Sequence, residues 1–200
     1  MNKTLVSILD TKGPCLLELS ERTFSKENVE EFFDCPYFYK VNFIDCSFNE
    51  CHFLGGNFTF CSFENCKFTN TLMRKSDITD CKFKDCQFIE SILSPRVSFF
   101  RTSFKNCEFL SVNLSDMFLS DCEFTKINCN KIKFSSTSLK NPKINNIIWD
   151  NLEFDKDNPL RIYFKKTGEL MPIEPTDESM LFEPTDDLIL VEIKDSSISL

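Results

Sequence analysis

Glycine is scarce, with 4 residues in 200, and histidine occurs once. A chain so poor in glycine has no phosphate-cradling loop of the kind built on Gly-rich turns. The pair Gly55-Gly56 lies inside a repeat described below. The one histidine, His52, has no partner nucleophile or base at a telling spacing, and the carboxylates are scattered without pairing. No enzyme signature results, and a non-catalytic protein is expected. Long apolar runs are missing too. Leu5 to Leu9 is short and meets Asp10, too little for a signal h-region or a membrane span. A soluble, cytoplasmic chain without a membrane partner is expected. A basic stripe is also lacking. Net charge is −3 over residues 1–35, +1 over 36–156 and −6 over 157–200. Acidity sits at the ends, and nucleic-acid binding is not expected.

Phenylalanine, by contrast, occurs 23 times and cysteine 11 times. Both follow a period of five. Phe38, Phe43, Phe48 and Phe53 open a series that runs to Leu93. After a one-residue slip across Ser94 to Ser98, it resumes at Phe99 and runs to Phe154. All 24 positions are apolar. Two residues before most of them lies a second slot filled by small or apolar residues, among them Cys46, Gly56, Cys61, Thr71, Ser91 and Val97. Neither slot holds a charge, although residues 36–156 carry 29 charged side chains.

A period of five fits no ordinary element. On an α-helix, steps of five advance about 500°, which would spread the rings over every face. On a straight strand an odd step alternates faces. A chain that turns a corner every five residues buries them together, and stacked turns share one apolar column. The units Asp45-Cys46-Ser47-Phe48-Asn49 and Asp85-Cys86-Gln87-Phe88 resemble those of the pentapeptide-repeat family. The resemblance covers 121 of 200 residues. It implies an all-β fold, a right-handed quadrilateral β-helix with four repeats per coil and about six coils, roughly 29 Å long at about 4.8 Å per coil.

Residues 1–35 lack the expected phase. They read as an N-terminal cap, a hairpin of Leu5–Leu9 with Cys15–Leu19 followed by a short helix from Ser25 bearing Val29, Phe32 and Phe33. Residues 36–156 form the β-helix. Residues 157–200 read as a strand-rich acidic extension, with alternation at Leu160, Ile162 and Phe164 and an apolar run between Asp187 and Lys194. Glu174-Pro175-Thr176-Asp177 recurs as Glu183-Pro184-Thr185-Asp186 and reads as an exposed loop. A bulge is expected near Pro95, which cannot donate to a ladder.

With four repeats per coil, Cys46, Cys66, Cys86 and Cys107 stack on one side, and Cys61 and Cys81 on another, with Cys122 further along. Spread along an axis, they read as reduced filler beside the rings. Neither a metal site nor a cofactor is expected. No wall sums to more than −2 in charge. One wall differs by pointing Tyr37, Tyr39, Phe60, Phe100 and Phe118 outward. These five form the candidate interface, since exposed aromatics mark binding sites. The expected partner is a protein. Cover of the wall by the termini, with Leu160, Ile162, Phe164, Leu188 and Leu190 as the apolar residues at hand, is the favoured use, and a second copy of the chain is the main rival. The resemblance adds an alternative: some pentapeptide-repeat proteins mimic duplex DNA and protect type II topoisomerases such as DNA gyrase from quinolones or peptide toxins. The neutral coil counts against it here.

Overall fold

Each five-residue unit places three or four residues in extended conformation and then one in the left-handed region. The corner residues include Lys40, Asp45, Glu50, Asn65 and Asn70, with φ between 50° and 54°. Asn and Asp tolerate that conformation better than other non-glycine residues, and they recur at these corners. Four corners close a coil. The computed structural model describes residues 17–150, 153–154, 160–165, 180–184 and 188–193. Every regular element among them is a β-strand, and parallel strands stack into a β-solenoid of about six turns.

The first wall stacks Leu17–Ser20, Pro36–Tyr39, Asn57–Thr59, Asp77–Thr79, Val97–Phe100, Met117–Ser120 and Ser138–Lys140. The second begins at Thr23–Ser25 and the third at Asn28–Glu30. Far along the rod they merge, because Glu123–Asn130 and Lys143–Asp150 each run through the corner as one long strand. The fourth stacks Phe33–Asp34, His52–Leu54, Leu72–Arg74 and Ile92–Leu93. Bridges through Asn113 continue it toward Lys133–Phe134.

Phenylalanine fills the centre. Phe43, Phe63, Phe83 and Phe104 stack nearly parallel at centroid spacings of 4.9, 4.7 and 4.9 Å. Phe48, Phe68, Phe88 and Phe109 form a second pile at 5.0, 4.8 and 4.8 Å. The ring spacing therefore matches the strand spacing. Rings on adjacent walls meet edge to face, as Phe43 and Phe48 do at 5.5 Å and 77°, so both favoured aromatic geometries repeat along the rod.

The N-terminal segment corrects the sequence reading. Where a short helix was predicted, Thr23–Ser25, Asn28–Glu30 and Phe33–Asp34 are strands paired in parallel with the next turn. Leu17–Ser20 joins the first wall, so the ladder begins one turn before residue 36. Leu19, Phe24 and Val29 are buried in the central slots. The signal was hidden because Asp34 aligns with Phe53 and the step from Asp34 to Phe38 is four residues instead of five. Arg22 and Glu27 also stand where later turns hold small residues. Most of the predicted hairpin lies outside the described residues.

At the slip, Leu72 faces Ile92 but Asp77 faces Ser98, one residue further on. The regular strands end at Leu93 and resume at Val97, across a cis Ser94-Pro95 bond, and Arg96 takes the corner with φ 58°. The extra residue is taken up there, as the bulge expected near Pro95 requires, while the Ser94 amide still donates to Met73 and the Pro95 carbonyl accepts from Lys75. At the far end, Leu160–Lys165 pairs in parallel with Ser138–Lys140, and Leu188–Ile193 and Met180–Pro184 follow antiparallel. Both runs read as strands are strands. They lengthen the sheet of the first wall at its end. Of the stretch read as an exposed loop, Glu174 to Asp177 lies outside the described residues, whereas Glu183 and Pro184 end the strand Met180–Pro184, paired with Leu190 and Ile189.

Gly56 shows how tightly one of the second slots is packed. A Cβ there would lie 3.2 Å from the Pro36 ring and 2.9 Å from Phe58, so the slot admits only hydrogen. In the middle of the rod, Phe68 is 1% exposed and sandwiched between Phe48 and Phe88. Phe68→Ala is expected to lower unfolding stability by about 3–5 kcal/mol, because the pile cannot collapse into the gap. Urea unfolding monitored by circular dichroism checks this. A loss below about 1 kcal/mol would contradict the stacked core.

Candidate interaction surface

The five aromatics picked out from the sequence all lie on the first wall, but the register divides them. Tyr37, Asn57, Asp77, Ser98, Phe118 and Ser138 form one outward row. Tyr39, Thr59, Thr79, Phe100, Ser120 and Lys140 form another. Lys40, Phe60, Asp80, Arg101 and Asp121 follow at the corner, each amide donating to a carbonyl of the next turn. One aromatic group therefore occupies the turns of Tyr37, Tyr39 and Phe60, and a second the turns of Phe100 and Phe118. The turn between them presents Asp77, Thr79 and Asp80.

Tyr37, Phe60 and Phe118 are 42%, 50% and 48% exposed. Tyr39 and Phe100 are half-buried. Tyr39 meets Phe60 edge-on at 6.0 Å, and the Lys40 ammonium lies 4.9 Å above the Tyr39 ring. The Arg101 guanidinium covers Phe100 at 4.1 Å and donates two hydrogen bonds to Asp80, at 2.7 and 2.5 Å. This ion pair holds the Asp80 carboxyl below its ordinary range.

Phe60 has a feature that composition alone does not display. It occupies a left-handed corner, φ 55°, a conformation unfavourable for a bulky side chain. The other left-handed positions hold polar or charged residues or glycine. The phase of the repeat carries this signal, since a ring at the corner position departs from every other repeat. The sequence reading also passed over the fourth wall, where Leu54 and Ile92 are 45% and 41% exposed. His52 sits there too, pointing outward and half-buried between the rows of Phe33 and Leu72.

Eight of the ten described cysteines occupy the second slot as placed from the sequence, Cys129 stands in the central row beside Phe109, and none of the ten is in a disulfide. Their role is more specific than filling space. Cys66, Cys86 and Cys107 each donate to a carbonyl of the preceding turn, Phe43, Phe63 and Phe83, at 3.4, 3.4 and 3.5 Å. Thr71, Ser76, Ser91 and Thr102 make the equivalent bonds from their hydroxyls at 3.0–3.3 Å. The slot thus selects a small S–H or O–H donor that satisfies a buried carbonyl. Burial pushes the Cys51 and Cys122 thiols up to about 11 and Cys129 to about 12, the reverse of a reactive cysteine. Among the described residues, no group of three or more His, Cys, Asp or Glu could hold a metal ion, and no helix is long and apolar enough to cross a membrane.

These features define a β-solenoid of pentapeptide repeats with outward aromatics on one wall. A family model described as a pentapeptide repeat region matches residues 32–94, and the same five-residue coil extends beyond that match on both sides. Residues 32–94 are thus a pentapeptide repeat region, set within a longer β-solenoid of the same period. No curated protein matches it in sequence. Solved structures similar to it include QnrB1, a plasmid-mediated fluoroquinolone resistance protein, at 13% identity and TM-score 0.41, covering 70% of this chain and 94% of that one. HetL, a pentapeptide repeat protein involved in heterocyst differentiation regulation from the cyanobacterium Nostoc sp. strain PCC 7120, matches at 8% identity and TM-score 0.26, covering 76% and 95%. Rfr23 from the cyanobacterium Cyanothece 51142 matches at 8% and 0.24, covering 68% and 88%. Likenesses at this level carry no functional argument.

The thiols make a pH test available. In the unfolded chain they ionise near 9.0, whereas Cys51 and Cys122 in the fold stay protonated to about 11. A raised folded value means that stability is fully present below the unfolded value and is lost as pH rises through that window. Unfolding stability is therefore expected to fall from pH 9 to 11, and less so in a Cys51→Ser, Cys122→Ser variant, whose hydroxyls keep the same carbonyls bonded. An equal slope in both proteins would contradict this account of the thiols.

Proposed function

We propose that this solenoid is a non-enzymatic protein-binding module and that its first wall is the docking surface. The observation that carries the reading is Phe60, a half-exposed ring at a strained corner, where the other described corners hold polar or charged residues or glycine. Strain kept at an exposed position points to use by a partner. Tyr37 and Phe118 add exposed apolar area on the same wall, and aromatics anchor interfaces because they bury large area at low entropy cost.

Protection of DNA gyrase by DNA mimicry calls for rows of unpaired acids. On this rod Asp80 is held by Arg101, Asp45 and Asp85 accept bonds from Asn65 and Asn106, and Lys82, Lys84 and Lys105 line the second wall. The protein-binding reading is preferred on that ground. Gyrase supercoiling under fluoroquinolone is expected to be unchanged by the chain. Rescue at stoichiometric amounts would reverse the preference.

Phe60→Asn is expected to leave stability unchanged or raise it by up to about 1 kcal/mol, because asparagine suits the left-handed corner. A photo-crosslinking residue at position 60 is expected to yield protein adducts in host extract, and one at position 67, on the third wall, is not. Loss of more than about 1 kcal/mol in the variant, or equal adducts at both positions, would show the ring to be structural rather than a docking residue.

A further inference from the structure

We propose that the occupant of the first wall is a second copy of this chain, packed face to face with its rod axis reversed, about a two-fold axis through the turn of Asp77 and Asp80. The inference rests on the wall being a protein interface and adds the identity and register of the partner.

A two-fold interface requires a self-complementary surface. Such an axis, lying in the wall along the strand direction, maps each row onto itself and reverses the order of turns. Three turns of the first wall precede the Asp77 turn, from Leu17–Ser20 to Asn57–Thr59, and three follow it up to Ser138–Lys140, and the aromatic residues stand on the two turns nearest it on each side. In the first outward row, Tyr37 then faces Phe118 of the second copy, so the two most isolated exposed rings cover each other. At the corner, Phe60 faces Arg101, a cation already seated over the ring of Phe100. Also at the corner, Lys40 faces Asp121, opposite charges two turns either side of the axis. Each of these pairings occurs twice by symmetry. The two aromatic groups therefore meet each other across the interface, and the only charged pair away from the axis is attractive.

On the axis itself, Asp80 keeps its own Arg101, whereas Asp77 meets its mate. Asp77 accepts a bond from Ser98 at 2.5 Å and has no cation on that row. Repulsion there limits affinity. The wall is also narrow, so the dimer belongs to the small end of interface sizes, and its dissociation is measured in the micromolar range.

Sedimentation equilibrium of the full chain at about 100 µM tests the proposal, with circular dichroism melts confirming that each variant folds. Wild type is expected to dimerise. Lys40→Asp and Asp121→Lys are each expected to weaken the dimer about tenfold, and the double exchange to restore it to within about threefold, since the two residues face one another between copies. Asp77→Asn is expected to tighten it. A wild type that stays monomeric, a dimer indifferent to the single exchanges, or a double variant no better than the weaker single one would overturn the proposal. A monomer whose position-60 crosslinker still captures another protein overturns this inference alone. A monomer without wall-specific adducts removes the docking surface as well.

Discussion

The left-handed corner taken every fifth residue is the constraint from which the rest of the molecule follows. Without it, a five-residue period cannot bring its rings together. With it, the chain closes a coil in four steps and each slot falls above its equivalent one turn earlier. The phenylalanine piles are a consequence: rings held at the strand spacing stack at about the distance aromatic faces prefer. The inward donors are another consequence. Where the second slot holds cysteine, serine or threonine, its thiol or hydroxyl satisfies the carbonyl of a central residue one turn earlier, as Cys66 does for Phe43 and Thr71 for Phe48. The corners impose a residue preference as well, which makes Phe60 conspicuous.

Much of this was legible in the sequence because the central slot tolerates so little. An unbroken apolar series from Phe38 to Phe154, with charges excluded from it, has one geometric solution. The first turn was not legible, for a local reason. Asp34 stands at a central position, Arg22 and Glu27 at second slots, and a step of four to Phe38 breaks the phase, so Phe24 and Val29 looked like part of a helix. The structure shows that an end turn survives with charged residues where inner turns need small ones. The slip at Pro95 was visible as one extra residue of phase, and the structure takes it up between Leu93 and Val97, where the proline stands. The chemistry of the second slot was visible only as a mixture of cysteine, serine and threonine, and its logic needed the carbonyls.

The surface was half legible. Which residues point outward from the first wall follows from the phase, and all five aromatics do. Their grouping into two sets around a polar turn depends on the stacking register, which a list of positions does not reveal. The same register shows that the described C-terminal strands continue the first wall's sheet at its end and do not lie across it. Tyr37, Phe60 and Phe118 stand exposed on a wall of nearly neutral charge, which is the surface character that the proposed docking role calls on.

The central claim is that every twenty residues return the chain to the same wall one strand spacing further on. Dipolar distances between spin labels introduced through unnatural amino acids, which leave the buried thiols untouched, test it most directly. Labels at Asn42 paired in turn with positions 103, 123 and 143 sample successive turns of the second wall. The distances are expected to grow by about 4.8 Å per turn, reaching roughly 24 Å for the last pair. A series that fails to grow linearly, or a last pair well beyond that length, would contradict the solenoid and every feature assigned to its walls.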